Sequence, residues 1–71
     1  MKAKVIGLGI SGKGAAKLLL KLGYEVIGID RNPVKIDGVK VYGEDAEVDA
    51  DLVVLSSGIP RTHPHAKGNV V

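Results

Sequence analysis

The sequence predicts an α/β fold, a small doubly wound parallel sheet of four to five strands with one helix. Its 71 residues include ten Val, seven Leu and six Ile, but no Phe or Trp and only two Tyr. A core of branched aliphatic side chains is typical of parallel strands that are buried on both faces. Short apolar runs also alternate with glycine-bearing turns, and only one segment has helical spacing.

The N-terminal half has the pattern of a β-α-β unit. Residues 3–7 are predicted to form a buried strand, and a glycine-rich turn follows it. The helix is predicted from Ser11, its N-cap, to about Leu22, with Gly23 as the C′ residue because glycine adopts positive φ without steric cost. Residues 25–29 form the second buried strand. The helix face expected to pack on the sheet carries Ala15, Leu18, Leu19 and Leu22 at helical spacing.

The C-terminal half is expected to contain shorter elements. Residues 31–38 are predicted to be an irregular connection, and the alternating residues 39–42 a half-buried edge strand. The acidic segment 43–51 is at most one turn of helix. The most apolar run, residues 52–55, is predicted to be a central strand, and residues 69–71 begin a further strand. One helix leaves one sheet face poorly covered, so self-association through that face is a candidate interaction.

Size and charge exclude several classes of protein. A chain of 7.4 kDa holds one domain at most, and so small a core rarely supplies more than about 3–5 kcal/mol. With no cysteine, the chain has no disulfide and no thiolate metal site. The longest apolar run is far shorter than a membrane span, and two Tyr provide no stacking platform for nucleic acid. We therefore expect a cytoplasmic fragment of a larger protein, without membrane or nucleic-acid partners.

The turn after the first strand carries the main functional motif. Gly7, Gly9 and Gly12 match the pattern G-x-G-x-x-G between a strand and a helix, and Asp30 lies 23 residues after Gly7 at the end of the next strand. This is the context of a Rossmann-like nucleotide site. Gly7 permits the sharp exit from the strand, Gly9 lets an anion approach the backbone, and Gly12 lets the helix pack closely. Free amides at the helix N-terminus then attract phosphate. The alternative is a tight turn that binds nothing.

The same segment matches the P-loop motif at all but one of its defining positions. Gly7, Gly12 and Lys13 fit that pattern, but Gly14 stands where Ser or Thr would supply a hydroxyl to magnesium. Hydrolysis of ATP at this turn is therefore not expected. Lys13 either contacts a phosphate or belongs to the solvated lysine face of the helix.

Other polar residues have competing interpretations. Asp30 either accepts hydrogen bonds from a ribose or base, which we favour, or caps the turn that follows it. His63 and His65 could bind a metal, but a surface loop is the favoured interpretation because no Cys or carboxylate lies near them in sequence. The acidic segment 43–51 lacks the ligand order of an EF-hand and is expected to be a solvated loop.

Several segments together resemble one family. They are residues 5–20 with the glycine turn, residues 23–30 ending in Asp30, residues 51–60 (Asp-Leu-Val-Val-Leu-Ser-Ser-Gly-Ile-Pro), and Thr62-His-Pro64. In these segments the chain resembles the N-terminal domain of the Mur ligases, and within that family its D-glutamate-adding branch is the nearest match. The double Ser at positions 56 and 57 departs from the Ser-Pro of that branch and is nearer the alanine-adding branch.

The resemblance implies a function and a site. It implies that the chain binds the UDP moiety of a UDP-N-acetylmuramoyl-alanine type substrate in peptidoglycan synthesis. It implies phosphate contacts at Ile10, Ser11 and Gly12, and contacts to uracil and ribose at Asp30, Arg31 and Asn32. It places three further residues along the diphosphate and sugar, namely Ser56, Ser57 and Gly58. With the glycine motif and Lys13, the predicted site is Gly7, Gly9, Ile10, Ser11, Gly12, Lys13, Asp30, Arg31, Asn32, Ser56, Ser57 and Gly58.

The resemblance also implies what the chain lacks. Ligation in this family needs a central domain that binds ATP and magnesium and a C-terminal domain for the incoming amino acid. We therefore expect residues 1–71 to be one nucleotide-binding domain with no catalytic residue, no metal and no cofactor of its own. The alternative is the NAD-binding module of an oxidoreductase or a regulatory domain, with Asp30 favouring NAD over NADP by charge repulsion.

Overall fold

A computed structural model describes residues 1–60, 62–66 and 68–70 and contains one parallel sheet and one helix. The sheet has the order β3-β2-β1-β4, and every neighbouring pair is parallel. The α/β fold class is therefore confirmed. The elements are β1 (Lys2–Ile6), α1 (Ile10–Lys21), β2 (Glu25–Ile29), β3 (Val39–Tyr42) and β4 (Leu52–Leu55).

The strand order reverses direction at β1. The chain proceeds from β1 outward to β2 and β3, and then returns to place β4 on the other side of β1. The register aligns Ile6 with Ile29 and with Leu55, so the three strands end at the same level. Ligands of open α/β sheets bind beyond these carboxyl ends, where the strand order switches.

The N-cap of helix α1 lies two residues earlier than predicted. Gly9 is the N-cap, and Ser11 lies in the first turn, so the prediction of Ser11 as N-cap is wrong. The C-terminus is as predicted: Gly23 has φ +90°, its amide donates to the Leu20 carbonyl, and the Tyr24 amide donates to Leu19. These two hydrogen bonds form a Schellman motif.

The buried face of the helix coincides only in part with the predicted stripe, since Leu19 belongs to both. Gly12, Ala16 and Leu19 are buried, whereas Leu18 and Leu22 are 58% and 64% exposed. The small residues decide the rotation of the helix, because Gly12 and Ala16 allow its backbone to approach the sheet closely. Ala3, Val5 and Val26 belong to the same apolar cluster on this side of the sheet.

The opposite face of the sheet is covered by two loops, and the expectation that it is poorly covered is wrong. Ile6, Ile29 and Val53 form its buried cluster. Partly buried side chains from the two loops and the end of β4 pack against them, namely Val48, Leu55, Ile59, Ala66 and Val70. Lys4 lies on this face at 5% exposure, and its Nζ donates to the Val48 carbonyl at 2.8 Å.

The two sheet edges differ from the predicted arrangement in one respect. β3 is an edge strand, as predicted, with alternating burial. β4 was predicted to be central but lies at an edge of the four-stranded sheet; in the described part of the chain, one parallel bridge from Val53 to Val70 continues beyond it. Val70 thus starts the pairing expected of residues 69–71, and Val71 lies outside the described residues. Within the described chain, no helix is long and apolar enough to cross a membrane.

Candidate functional site

An open cleft of about 660 Å³ lies at the carboxyl ends of the strands. Its walls come from the glycine turn, the residues after β2, the loop after β3 and the loop after β4. This volume lies within the range of small-ligand sites. The cleft therefore occupies the position that the strand order favours.

The glycines of the turn have separate roles. Gly7 has φ +85°, and a Cβ there would collide with Ser56 and Ile59. At Gly12 a Cβ would collide with the Gly7 carbonyl, which shows how closely α1 approaches the turn. A Cβ at Gly9 would meet no atom within 4 Å. Gly7 and Gly12 are thus required by the fold, whereas Gly9 leaves open space beside the cleft.

The N-terminus of α1 opens into this cleft. The first intrahelical hydrogen bond runs from the Lys13 amide to the Gly9 carbonyl at 2.9 Å. The amides of Ile10, Ser11 and Gly12 therefore have no partner within the helix. Gly9 supplies no side-chain cap, and the first turn carries no acidic residue. The helix dipole and these amides favour an anion at this end of the cleft.

Two serines connect the helix to the loop after β4. The hydroxyl groups of Ser11 and Ser57 lie 3.1 Å apart, and the Ser57 amide donates to Ser11 Oγ at 3.3 Å. The Ser56 amide donates to the Ile6 carbonyl at 3.1 Å, which holds this loop against the end of β1. Two hydroxyl groups therefore stand beside the uncapped amides, at the mouth of the cleft.

Asp30 holds two segments of backbone together. Its Oδ1 accepts the Asn32 amide at 2.9 Å, and its Oδ2 accepts the Leu8 amide at 2.7 Å. These bonds, from Asn32 and then Leu8, lower the pKa of the Asp30 carboxyl; partial burial opposes them, and the charge of Arg31 adds to them. The interpretation that Asp30 caps the turn that follows it is therefore confirmed by the bond from Asn32. The bond from Leu8 also connects the glycine turn to the end of β2.

The structure gathers most of the predicted site residues into the cleft wall. Three of them are not among the lining residues: Gly12 is buried under the turn, Lys13 is exposed on α1, and Gly58 forms a turn with φ +89°. The predicted residues that do line it are Gly7, Gly9, Ile10, Ser11, Asp30, Arg31, Asn32, Ser56 and Ser57.

Sequence reasoning missed three lining residues, namely Leu8, Glu44 and Ile59. Leu8 is one of the unspecified positions inside the glycine motif, and Ile59 lies in the loop whose serines were singled out. Glu44 was assigned only to a solvated acidic segment. That segment is indeed exposed at each of its acidic residues, but nothing in the local pattern distinguishes Glu44 from the others.

Glu44 is held by both histidines. His63 Nε2 lies 3.2 Å from Glu44 Oε2, and His65 Nε2 donates to the Glu44 carbonyl at 2.6 Å. His65 is only 8% exposed, so the surface-loop interpretation is wrong for this residue. Among the described residues no group of three or more His, Cys, Asp or Glu is arranged to hold a metal ion.

Comparison with known proteins shows which proteins this chain is related to. No family model matches the chain. A UDP-N-acetylmuramoylalanine–D-glutamate ligase of Protochlamydia amoebophila is 35% identical over 80 residues, covering 93% of this chain and 18% of the ligase. The ligase of the same name from Aquifex aeolicus is 48% identical over 64 residues, covering 90% of this chain and 14% of the ligase. A UDP-N-acetylmuramate–L-alanine ligase of Rubrobacter xylanophilus is 42% identical over 74 residues, covering 90% of this chain and 17% of the ligase.

The chain is related to the N-terminal part of the Mur ligases. The resemblance stated from the sequence is therefore confirmed. The matches include both the D-glutamate-adding and the alanine-adding ligases, in keeping with the mixed character of the Ser56-Ser57 loop. The chain spans only 14–18% of the length of these relatives.

A solved structure gives a second likeness for this Mur-related chain. The NADPH-dependent glyoxylate/hydroxypyruvate reductase of Sinorhizobium meliloti, in complex with NADP and sulfate, matches with a TM-score of 0.69 and 29% identity. The match covers 78% of this chain and 19% of the reductase. A nucleotide-binding reductase thus has the same Rossmann-like arrangement.

Proposed function

We propose that this chain is the UDP-substrate-binding domain of a Mur-type ligase. In this proposal residues 1–71 are one domain at the N-terminal end of a larger cytoplasmic enzyme. That enzyme joins an amino acid to a UDP-N-acetylmuramoyl type substrate in peptidoglycan synthesis. The activity that we propose for it is that of a UDP-N-acetylmuramoyl-L-alanine:D-glutamate ligase. The main support is one observation: in a chain related to these ligases, the uncapped N-terminus of α1 opens into a cleft at the strand-order switch.

The chemistry of the cleft suits a nucleoside diphosphate. The amides of Ile10, Ser11 and Gly12 would donate to phosphate oxygens, and the hydroxyl groups of Ser11 and Ser57 would donate beside them. Gly9 would let the diphosphate approach the backbone, since no atom occupies the space a side chain would fill. Arg31 and Asn32 line the cleft after β2 and would contact the nucleoside.

The domain would bind and orient its substrate rather than transform it. Gly14 offers no hydroxyl to magnesium, so the glycine turn lacks a ligand that P-loops supply. ATP, magnesium and the incoming amino acid would be bound by the central and C-terminal domains of the parent ligase. Those domains are the expected protein partners of this chain.

Titration of the chain with UDP tests the proposal. We expect UDP to shift the amide NMR signals of Gly9, Ile10, Ser11 and Ser57, with NADH binding more weakly. Absence of a response at millimolar UDP would contradict the proposal. Tighter binding of NADH than of UDP would instead support the NAD-binding alternative. The structural similarity to the NADP-bound reductase is the reason to test it.

Two glycine variants provide a matched pair for this titration. Gly9→Ala and Gly14→Ala each add one methyl group where no atom lies within 4 Å, so neither should disturb packing. Gly9→Ala should weaken UDP binding about tenfold or more, because the methyl group would keep the diphosphate from the amides. Gly14→Ala should leave UDP binding unchanged. Equal affinities for the two variants would count against phosphate binding at this turn.

A further inference from the structure

The cleft has two carboxylates in its wall, and the fold uses them differently. Both oxygens of Asp30 accept backbone amides, from Leu8 and Asn32, so this group is largely committed to holding the turn. Glu44 also lines the cleft, and its side chain is 47% exposed. A ligand in the cleft would therefore meet the Glu44 carboxylate as the more available acceptor.

The histidines fix the orientation of Glu44. The Glu44 carbonyl can only accept, so His65 Nε2 must carry the hydrogen of the 2.6 Å bond. The His65 amide donates to His63 Nδ1 at 3.2 Å, which leaves the hydrogen of a neutral His63 on Nε2. His63 therefore donates to Glu44 Oε2 at 3.2 Å. Backbone and side chain of Glu44 are held at once, and this limits the entropy that the side chain loses on binding.

Oε1, the second carboxylate oxygen of Glu44, is the candidate acceptor for a ligand. Among residues 1–60, 62–66 and 68–70 no hydrogen bond reaches Oε1. A carboxylate repels a diphosphate, so it does not belong beside the phosphates at the N-terminus of α1. Its charge instead suits neutral donors, and the hydroxyl groups of a ribose are the donors that every ribonucleotide presents in a pair.

We propose that Glu44, oriented by His63 and His65, is the carboxylate that accepts hydrogen bonds from the ribose hydroxyl groups of the bound nucleotide. This assignment rests on the proposed function, because it requires a nucleoside diphosphate in the cleft. It makes Glu44 a specificity-determining residue, since a ligand without the ribose hydroxyl groups would leave the carboxylate unmatched.

Calorimetric titration of Glu44→Gln tests this role, with Glu47→Gln as the matched control. Both substitutions remove one negative charge from the same exposed loop, but Glu47 is not in the wall of the nucleotide cleft. The ligands are UDP and 2′,3′-dideoxy-UDP, which keeps the base and the diphosphate. We expect Glu44→Gln to weaken UDP binding by about five- to tenfold and Glu47→Gln to leave it unchanged.

The dideoxy ligand decides where the carboxylate acts. The wild-type chain and Glu47→Gln should bind 2′,3′-dideoxy-UDP more weakly than UDP, whereas Glu44→Gln should discriminate little between them. If Glu44→Gln weakens the binding of UDP and of 2′,3′-dideoxy-UDP by the same factor relative to wild type, Glu44 does not contact the ribose and the assignment is overturned. Unchanged UDP binding by Glu44→Gln overturns it as well. If wild-type chain does not bind UDP at all, the proposed function fails and the assignment fails with it.

Discussion

The two faces of the sheet are covered by different kinds of contact. On one face α1 packs through Gly12, Ala16 and Leu19 against an apolar cluster. On the other face two loops cover Ile6, Ile29 and Val53, and polar contacts join the loops to the sheet and to each other. Lys4 Nζ donates to the Val48 carbonyl there, and His65 donates to the Glu44 carbonyl.

The difference shows how a short chain closes a doubly wound sheet with one helix. A helix satisfies its own backbone, so it needs only an apolar stripe to cover a face. A loop brings unsatisfied amides and carbonyls to the sheet, so it needs side-chain partners for them. The buried lysine and histidine on the loop side supply such partners. On the helix face, substitutions that remove side-chain volume should therefore lower the stability most. On the loop face, substitutions that remove hydrogen bonds should do so.

The largest expected effect comes from the helix face. Leu19→Ala removes a side chain that is 7% exposed, and should lower the free energy of unfolding by about 2–3 kcal/mol. Leu18→Ala, at a position 58% exposed, should change it by only about 0.5 kcal/mol. Urea unfolding followed by circular dichroism measures both. A comparable loss for Leu18→Ala would favour the predicted stripe, which contains both leucines, and would contradict the observed rotation of α1.

A smaller effect is expected at Asp30, which follows the carboxyl end of β2. Asp30→Asn should cost about 1–2 kcal/mol at neutral pH, because two backbone amides lose a charged acceptor. The folded-state pKa of Asp30 is lowered, so its contribution is present above the unfolded value of about 3.9 and is lost as the pH falls through the folded value. Urea unfolding between pH 2 and 7 should show the wild-type and variant curves converging at the acid end. If the difference in free energy of unfolding between wild type and Asp30→Asn persists at low pH, the charge of Asp30 is not what stabilises the fold.

The smallest expected effect is on the loop face. His65→Phe keeps an aromatic side chain but removes the donor to the Glu44 carbonyl, and should cost about 1 kcal/mol. Because the loss is local, amide hydrogen exchange should quicken in residues 43–51 and stay unchanged in α1. Leu18→Ala is the control for a substitution on the opposite side of the sheet. Equal acceleration in α1 and in the loop would mean that the two faces open together.

Much of the fold could be predicted because its signals are local. The strand bounds follow from apolar runs of four or five residues, although β1 begins and ends one residue earlier than the predicted 3–7. The Schellman motif follows from a glycine after the last helical residues. Gly7 and Gly12 were assigned correct steric roles, because the positive φ of Gly7 and the approach of Gly12 to the Gly7 carbonyl are features of the turn itself. The role of Gly9 in admitting an anion stays a prediction. The rotation of α1 was predicted incorrectly because the prediction followed the spacing of the leucines, whereas the small residues Gly12 and Ala16 pack closest to the sheet.

The candidate site was only partly predictable, for a physical reason. Its glycine turn and the Asp30 position lie in recognisable order along the chain. Glu44 was missed because its partners, His63 and His65, lie 19 and 21 residues further along. Contacts at that separation depend on how two irregular loops cross the sheet, and neither loop has a periodic pattern. The capping of Leu8 by Asp30 was missed for the same reason, at a separation of 22 residues.

The sequence by itself determined the fold class, the glycine turn and the likeness to the Mur ligases, because each depends on residue order and spacing. The tertiary structure alone decided which helix face is buried, how the second face of the sheet is covered, and which side chain of the acidic segment 43–51 stands in the cleft. Those outcomes depend on close packing and on hydrogen bonds between distant segments. Such contacts form only when the sheet brings the segments together.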